Sequence, residues 1–150
     1  MKLAADSQLK LEAFFRELYD DDSFRLPPIY FYAGNFSRFL TKILKIYGIT
    51  IGSRIFIKPD FISAADDSRI IVHVELAAHE IAHVLQYERE GFVRFFYKYF
   101  RSFRQNLKNK SWNTVSRQEA YLEITFEIQA RETAAKFVEW NKRKRKMDNG

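Results

Sequence analysis

The segment that most constrains the fold is RIIVHVELAAHEIAHVLQYERE, residues 69–90. Drawn as a helix, its first four turns are apolar on nearly every face, and a helix of that kind has to lie inside a folded domain. Two of the three histidines of the chain, His79 and His83, interrupt this apolar surface. We therefore predict a central helix over residues 69–90, ending at Gly91, with the other elements packed around it.

The composition is that of a globular domain. Hydrophobic residues make up 47% and aromatic residues 17% of the 150 residues, which excludes a disordered chain. A chain of this length suits one domain better than two, so we predict a single domain over residues 1–150. The absence of cysteine excludes disulfides, thiolate metal ligands and thiol nucleophiles. With neither a signal-like start nor a long apolar run, we expect a cytoplasmic protein without a transmembrane segment.

The net charge of +6 is concentrated in the block 89–117 and in the tail KRKRK at 142–146. A basic surface attracts nucleic acid, anionic lipid or an acidic partner through long-range electrostatics. We predict a solvated helix face for the block and a frayed basic tail over residues 142–150. An acidic partner or an anionic surface would suit these patches, and no specific nucleic-acid binding is expected.

Hydrophobic periodicity assigns the other elements. Apolar residues at helical spacing predict helices over 8–19, between Gly34 and Gly48, over 92–107, and from about Arg117 into the basic tail. Aromatic and β-branched runs predict a strand over 26–32, and a hairpin or a bulged strand over 49–58 that pivots at Gly52 and Ser53. The order αβαβ(β)ααα predicts an α+β fold with a small sheet.

The predicted helix over 92–107 has six aromatic residues on one face and Arg94, Lys98 and Arg101 on the other. The aromatic residues are Phe92, Phe95, Phe96, Tyr99, Phe100 and Phe103. The periodicity favours a core face packed against the histidine-bearing helix. The alternatives are a face that lies on an anionic membrane or that interleaves with nucleic acid.

The two histidines are four residues apart, so on a helix their imidazoles lie one above the other and can bind one metal ion. Glu80 lies beside that ion without binding it, which is the H-E-x-x-H pattern of zinc hydrolases. In that pattern zinc lowers the pKa of its bound water to about 7, and the glutamate takes the proton as the water attacks a carbonyl. We predict one zinc ion per chain held by His79 and His83, with Glu80 as the general base. His73 lies roughly 240° away around a continuous helix and cannot share the ligand face.

A catalytic zinc takes three protein ligands. With no cysteine in the chain and His73 badly placed, the third ligand has to be a carboxylate of the last helix. We favour Glu127, because Ala130 and Ala134 form a small-residue stripe that lets this helix approach the histidine-bearing helix closely. Glu123, one turn earlier on the same face, is the alternative.

The stretch AAHEIAHVLQYER resembles the active-site helix of bacterial zincin-like proteins, a domain family largely of unknown function whose signature reads HELxHVxQ. YLEITFEIQARETA resembles the P-x-E-x-E-A helix of that family and the E-x-x-A-D helix of gluzincins such as the CAAX prenyl proteases. Upstream, IYFY…FLTKILKIYGITIGSRIFIKP resembles the family's strand–helix–strand, so the resemblance covers about residues 29–137. It implies a zincin-like fold, with His79, His83 and Glu127 as ligands and Glu80 as general base.

The chain departs from the gluzincin pattern at Arg131, where an aspartate often orients a ligand histidine. Such partners typically change metal affinity or activity tenfold or more, so a replacement is expected elsewhere. Glu75, or Asp66 and Asp67, are the candidates. Two tyrosines, Tyr87 and Tyr121, are the candidates to brace an oxyanion, although packing is the more usual role of an aromatic residue at helical spacing.

The sequence supports two functions of different class. The first is a zinc-dependent metallopeptidase that cleaves a peptide or protein substrate. Its substrate would pair as an added strand with an exposed edge, which we predict to be Arg54–Lys58. The second is a zincin-fold binding or scaffold protein with a basic surface and weak or no catalysis, since the short chain has no obvious second lobe to close over a substrate.

Overall fold

The computed structural model describes residues 1–44, 46–64, 69–108, 110 and 113–148. Within these ranges the chain forms two small sheets, six α-helices and one 3-10 turn, so the predicted α+β class is confirmed. The elements are β1 (Lys2–Leu3), α1 (Ala5–Tyr19), β2 (Tyr30–Tyr32), α2 (Asn35–Leu44), β3 (Gly48–Ile51), β4 (Arg54–Ile57), the 3-10 turn (Pro59–Phe61), β5 (Ile62–Ala64), β6 (Arg69–Val72), α3 (Val74–Glu90), α4 (Phe92–Leu107), α5 (Thr114–Leu122) and α6 (Thr125–Asp148).

Each sheet combines one parallel and one antiparallel pair. In the order β2-β4-β3, β4 runs parallel to β2 and antiparallel to β3. In the order β1-β6-β5, β6 runs parallel to β1 and antiparallel to β5. A hydrogen bond of 2.9 Å from Phe31 N to Met1 O links the two sheets. Between β3 and β4, Gly52 takes a φ of 61°, a left-handed conformation that glycine adopts without steric cost, so the predicted hairpin is confirmed.

The prediction that Arg54–Lys58 is an exposed edge is wrong, because β4 is the middle strand of its sheet. The side chains of Ile55 and Ile57 are fully buried on one face, and Phe56 stacks on Tyr32 on the other. Apolar residues on both faces are typical of a strand in a sheet that is covered on both faces. The hairpin instead leaves β3 as an outer strand.

Two helix boundaries also differ from the prediction. Residues 69–72 are strand β6, and α3 begins only at Val74, because the β-branched run RIIV pairs with strands on both sides. The last helix is divided in two, since α5 ends at Leu122 and α6 starts at Thr125. The basic tail, expected to be frayed, continues α6 as far as Asp148.

The core lies where α3 meets the β2-β4-β3 sheet, α1 and α6. Its fully or nearly fully buried side chains include Phe14, Phe15, Phe31, Ile55, Ile57, Ala77, Ala78, Ile81, Val84, Ala134, Phe137 and Trp140. The rings of Phe14 and Phe137 meet edge to face, with their centroids 5.0 Å apart. Trp140 closes this cluster and donates a 2.7 Å hydrogen bond to Glu17. α3 is therefore the central helix that its apolar sequence predicts.

The predicted core face of α4 is wrong for two of its six aromatic residues. Phe95 is buried, but Phe92 and Phe100 are 53% and 57% exposed. α4 lies at the periphery and contacts its neighbours along one side only. Its six aromatic residues spread over a wider part of the helix surface than these neighbours cover. No described helix is both long enough and apolar enough to cross a membrane.

Phe137→Ala should lower the free energy of unfolding by about 3–5 kcal/mol, because the substitution leaves a cavity between α1, α3 and α6. Phe36→Ala is the matched control, since the Phe36 side chain is 63% exposed, and it should cost less than about 1 kcal/mol. Urea unfolding of both variants measures the difference. Equal losses would contradict the position of the core.

Candidate metal centre

α3 presents two histidines on one face. His79 and His83 stand one turn apart with nearly perpendicular rings, 4.9 Å between ring centroids. Their Nε2 atoms are 3.2 Å apart. The His79 side chain is 18% exposed and that of His83 is 8% exposed, so both imidazoles lie near the inner surface of the domain.

The first turn of α6 brings Glu127 to the same point. Its Oε2 atom lies 3.5 Å from Nε2 of His79, and its Oε1 atom lies 3.4 Å from Nε2 of His83. Ala130 and Ala134 are buried along the same helix, as expected of a stripe that lets α6 approach α3 closely. Glu123 does not join the group, because it is exposed just beyond α5 and pairs with Lys110 at 2.9 Å.

Gln86 fixes the orientation of the His83 ring. The amide nitrogen of Gln86 donates to the carbonyl of Phe126 at 3.1 Å, which turns its Oε1 atom toward Nδ1 of His83 at 2.8 Å. In the neutral imidazole Nδ1 then carries the proton, so Nε2 keeps the lone pair that can bind a metal ion. Gln86 was not among the site residues predicted from the sequence, although it matches the last residue of the motif HELxHVxQ, three positions after His83.

Two tyrosines contact the Glu127 carboxylate. Tyr99 of α4 donates a 3.0 Å hydrogen bond to Oε1, and the hydroxyl of Tyr121 on α5 lies close enough to lower the pKa of this carboxyl group. Burial raises the pKa of both phenols, and the negative charge of Glu127 raises it further, so they remain donors. Tyr121 was predicted to brace an oxyanion, whereas Tyr99 was expected only to pack in the core.

Charges around Glu127 favour a cation where the three side chains meet. Burial raises the pKa of Glu127, but the imidazoles of His79 and His83 beside its carboxylate outweigh burial, so the pKa lies well below its ordinary value. Burial lowers the pKa of His83, and its contacts with Glu127 reverse that effect and raise it above its usual range. The group thus stabilises a positive charge at this point.

Glu80 lies beside this group on the sheet side of α3. Its side chain is buried, and Thr50 of β3 donates a 2.7 Å hydrogen bond to Oε2. Burial raises the pKa of Glu80 above its ordinary value, while the charges of His83 and His79 partly offset the effect. A methyl group at Gly48 would lie 2.5 Å from Oε1 of Glu80, so glycine leaves the room that this carboxylate occupies.

The other residues singled out from the sequence lie elsewhere. Arg131 donates a hydrogen bond to the carbonyl of Leu122 and so links α6 to the end of α5. Tyr87 donates to the carbonyl of Thr50 at 3.1 Å, which argues against an oxyanion role.

At the start of α3, two further residues singled out from the sequence also lie away from the group. His73 is exposed at the N-terminal cap of α3, and Glu75 is exposed in its first turn. Asp66 and Asp67 lie outside the described residues.

The donor atoms fit a zinc ion. Tetrahedral zinc with ligands at about 2.0–2.2 Å requires donor atoms roughly 3.3 Å apart. The two Nε2 atoms are 3.2 Å apart, and each lies 3.4–3.5 Å from a different oxygen of the Glu127 carboxylate. Oε2 of Glu127 is buried with no hydrogen-bond partner among the described residues, and such an atom costs free energy unless a cation or a donor reaches it. Within the described ranges, His79, His83 and Glu127 form the one group of three side chains close enough to share a metal.

Substitution of Glu127 tests whether this residue is a zinc ligand or only lies near the two histidines. We expect the wild-type protein, produced without a polyhistidine tag, to bind one zinc ion per chain. Glu127→Gln should weaken zinc binding at least about 10–100-fold, whereas Glu123→Gln should bind like the wild type, because Glu123 is exposed outside the group. Elemental analysis and titration with zinc measure both. Equal zinc affinity in the two variants would contradict the ligand set.

Gly48→Ala should lower stability by about 1–3 kcal/mol, because the added methyl group meets the buried Glu80 carboxylate. Gly34→Ala is the control, since a methyl group there has no atom within 4 Å. The two free energies of unfolding can be compared by urea denaturation. A gain in stability from Gly48→Ala would contradict the close approach of β3 to Glu80.

Comparisons with known proteins leave the family of the chain open. No protein-family model, no curated protein and no solved structure matches it. The resemblance to zincin-like proteins therefore remains a prediction from the residues, and support for the metal centre comes from the geometry of His79, His83 and Glu127.

Proposed function

We propose that this protein is a zinc-dependent metallopeptidase with a zincin-like fold. His79, His83 and Glu127 would hold the ion, and Glu80 would act as the general base. The observation that carries the proposal is the convergence of two imidazole nitrogens and a buried carboxylate within 3.2–3.5 Å of one another. The central H-E-x-x-H helix between a small sheet and the glutamate-bearing helix supports the zincin-like organisation.

The surrounding residues prepare these groups for hydrolysis. A zinc ion at this point would supply Lewis acidity, which polarises a carbonyl oxygen and lowers the pKa of water. Glu80 accepts the proton of the attacking water and passes it to the leaving amine. Its raised pKa suits both steps, since a carboxylate that titrates nearer to neutral pH both takes and returns a proton. Thr50 holds this carboxylate in place through its hydroxyl group.

The outer strand β3 offers the substrate a place beside Glu80. Thr50 lies on β3 and contacts both the carboxylate and the backbone carbonyl of Glu80. An extended peptide that adds to the outer edge of β3 would therefore run past the general base. This assigns to β3 the substrate-binding role that the sequence analysis gave to Arg54–Lys58. A cytoplasmic location is part of the proposal and agrees with the absence of cysteine from the chain.

Limited access to the centre favours a second candidate function. The His83 side chain is 8% exposed and that of Glu127 is 4% exposed. A metal held so deeply can stabilise a zincin-fold binding or scaffold protein without turnover, and the basic surface would then serve an acidic partner. Metal content is the same in both cases, so only turnover distinguishes them.

Glu80→Gln provides that test, because it removes the base and retains a similar shape. We expect peptide cleavage to fall about 10²–10⁴-fold while zinc binding stays within a few-fold of the wild type. Glu75→Gln on the same helix is the control, since Glu75 is exposed, and it should keep full activity. Cleavage of a defined peptide pool, followed by mass spectrometry, measures turnover. Zinc-loaded wild-type protein that cleaves none of these peptides would support the scaffold function instead.

A further inference from the structure

An apolar arc of α4 is largely exposed, although Phe96 within it is partly covered by Tyr87. We define the α4 arc as Phe92, Val93, Phe96, Tyr97 and Phe100, which successive turns of 100° per residue place on one side of the helix. Val93 is 81% exposed and Tyr97 is 63% exposed, while Phe92 and Phe100 are more than half exposed. Scattered exposed apolar residues are normal, but a contiguous arc of this size marks an interaction surface.

The opposite side of α4 is fixed to the domain. Phe95 packs on Tyr87 with 3.9 Å between ring centroids and stacks on Phe126 at 4.6 Å. Tyr99, one turn further along, donates its hydroxyl to Glu127. These contacts set the rotation of α4 about its own axis. The α4 arc therefore faces outward because of how the helix is anchored.

Basic side chains border the α4 arc. The sequence of α4, FVRFFYKYFRSFRQNL, contains four basic residues and no acidic residue. Arg94 and Lys98 lie beside Glu90, whereas Arg101 and Arg104 are exposed and have no ion-pair partner among the described residues. At 100° per residue, Arg101 falls just beyond Tyr97 at the margin of the arc, and Arg104 falls on the side of Tyr97, about two turns further along the helix.

We propose that α4 docks on the surface of an anionic lipid bilayer. The α4 arc would enter the boundary between headgroups and acyl chains, and Arg101 and Arg104 would pair with lipid phosphates. A surface helix with an aromatic apolar side and a flank whose own charged residues are all basic has the features of an interfacial membrane helix. Binding is peripheral, since none of the described helices can cross a membrane. This proposal does not rest on the metal centre.

Charge and shape disfavour the other occupants. A second copy of the chain docked through the same face would bring two cationic flanks together at the rim, with no acidic residue of α4 to pair with them. Single-stranded nucleic acid binds where stacking rings line a positively charged groove that follows its backbone. The rings of the α4 arc lie instead on the convex side of a single helix, which suits a lipid surface better.

Flotation with lipid vesicles tests the apolar contribution. Wild-type protein should bind vesicles of phosphatidylcholine mixed with phosphatidylglycerol, and binding should weaken as salt is raised. Val93→Ser with Phe100→Ser should reduce the partition coefficient at least about tenfold, because two large apolar side chains no longer enter the lipid. Phe36→Ser with Phe39→Ser on α2 is the matched control, since these side chains are 63% and 61% exposed. Far-UV circular dichroism verifies that both variants are folded.

The contribution of the basic residues is tested with a second pair of double variants. Arg101→Gln with Arg104→Gln should lower binding about fivefold for each charge removed. Lys142→Gln with Arg145→Gln removes the same net charge from the tail of α6 and should have a smaller effect. Binding to phosphatidylcholine alone should be much weaker than to the anionic mixture.

Three results would overturn the proposal. The first is no binding of wild-type protein to anionic vesicles at low salt. The second is an equal loss of binding in the α4 and α2 double variants, which would assign the effect to general hydrophobicity. The third is a concentration-dependent dimer, seen by light scattering, that Val93→Ser with Phe100→Ser abolishes while vesicle binding is unchanged. The α4 arc would then be an interface between copies of the chain.

Discussion

The close approach of α6 to α3 is the contact on which the rest of the structure depends. Helices normally pack with their axes 8–10 Å apart, and the spacing depends on the side chains at the contact. Ala130 and Ala134 are buried on α6, and their small side chains allow the two helices to lie close together. Because a glutamate side chain is short, Glu127 reaches the Nε2 atoms of both histidines only when the two backbones lie close together. Larger residues at these alanines would separate the helices and leave a buried carboxylate without its imidazole partners, which is costly.

Buried polar groups at this contact are connected to three further elements and to each other. β3 reaches Glu80 through the Thr50 hydroxyl, α4 and α5 reach Glu127 through two tyrosines, and Gln86 joins α3 to the first turn of α6. Each bond satisfies a polar group that burial would otherwise penalise, so the same bonds stabilise the fold and set the orientation of the site. Oε2 of Glu127 stands outside this pattern, because it is buried without a hydrogen-bond partner among the described residues. It lies 3.5 Å from Nε2 of His79, and a cation between the carboxylate and the imidazoles would satisfy it.

The sequence predicts the parts of this site that local geometry determines. His79, Glu80 and His83 share a helix, so their spacing alone fixes their relative positions, and the alanine stripe pointed to Glu127 over Glu123. Thr50 and Tyr99 could not be found in this way, because their contacts depend on where β3 and α4 pack. The start of α3 was predicted five residues too early, since a short apolar run such as RIIV is compatible with strand or helix until its partners are known. The middle position of β4 could not be predicted either, because it depends on the pairing of β4 with the distant strand β2.

α4 satisfies two separate constraints with its two sides. The inner side has to place Tyr99 at Glu127 and Phe95 on Tyr87, which determines the direction of every other residue of the helix. Folding places no such demand on the outer side, because a side chain that stays mostly exposed gains little from the native state, as for Val93 at 81% exposure. Polar residues there would fold as well and would be more soluble. An outer side rich in aromatic residues with a cationic margin therefore calls for a cause outside the folded chain, and an anionic bilayer supplies one that meets both its apolar and its charged part.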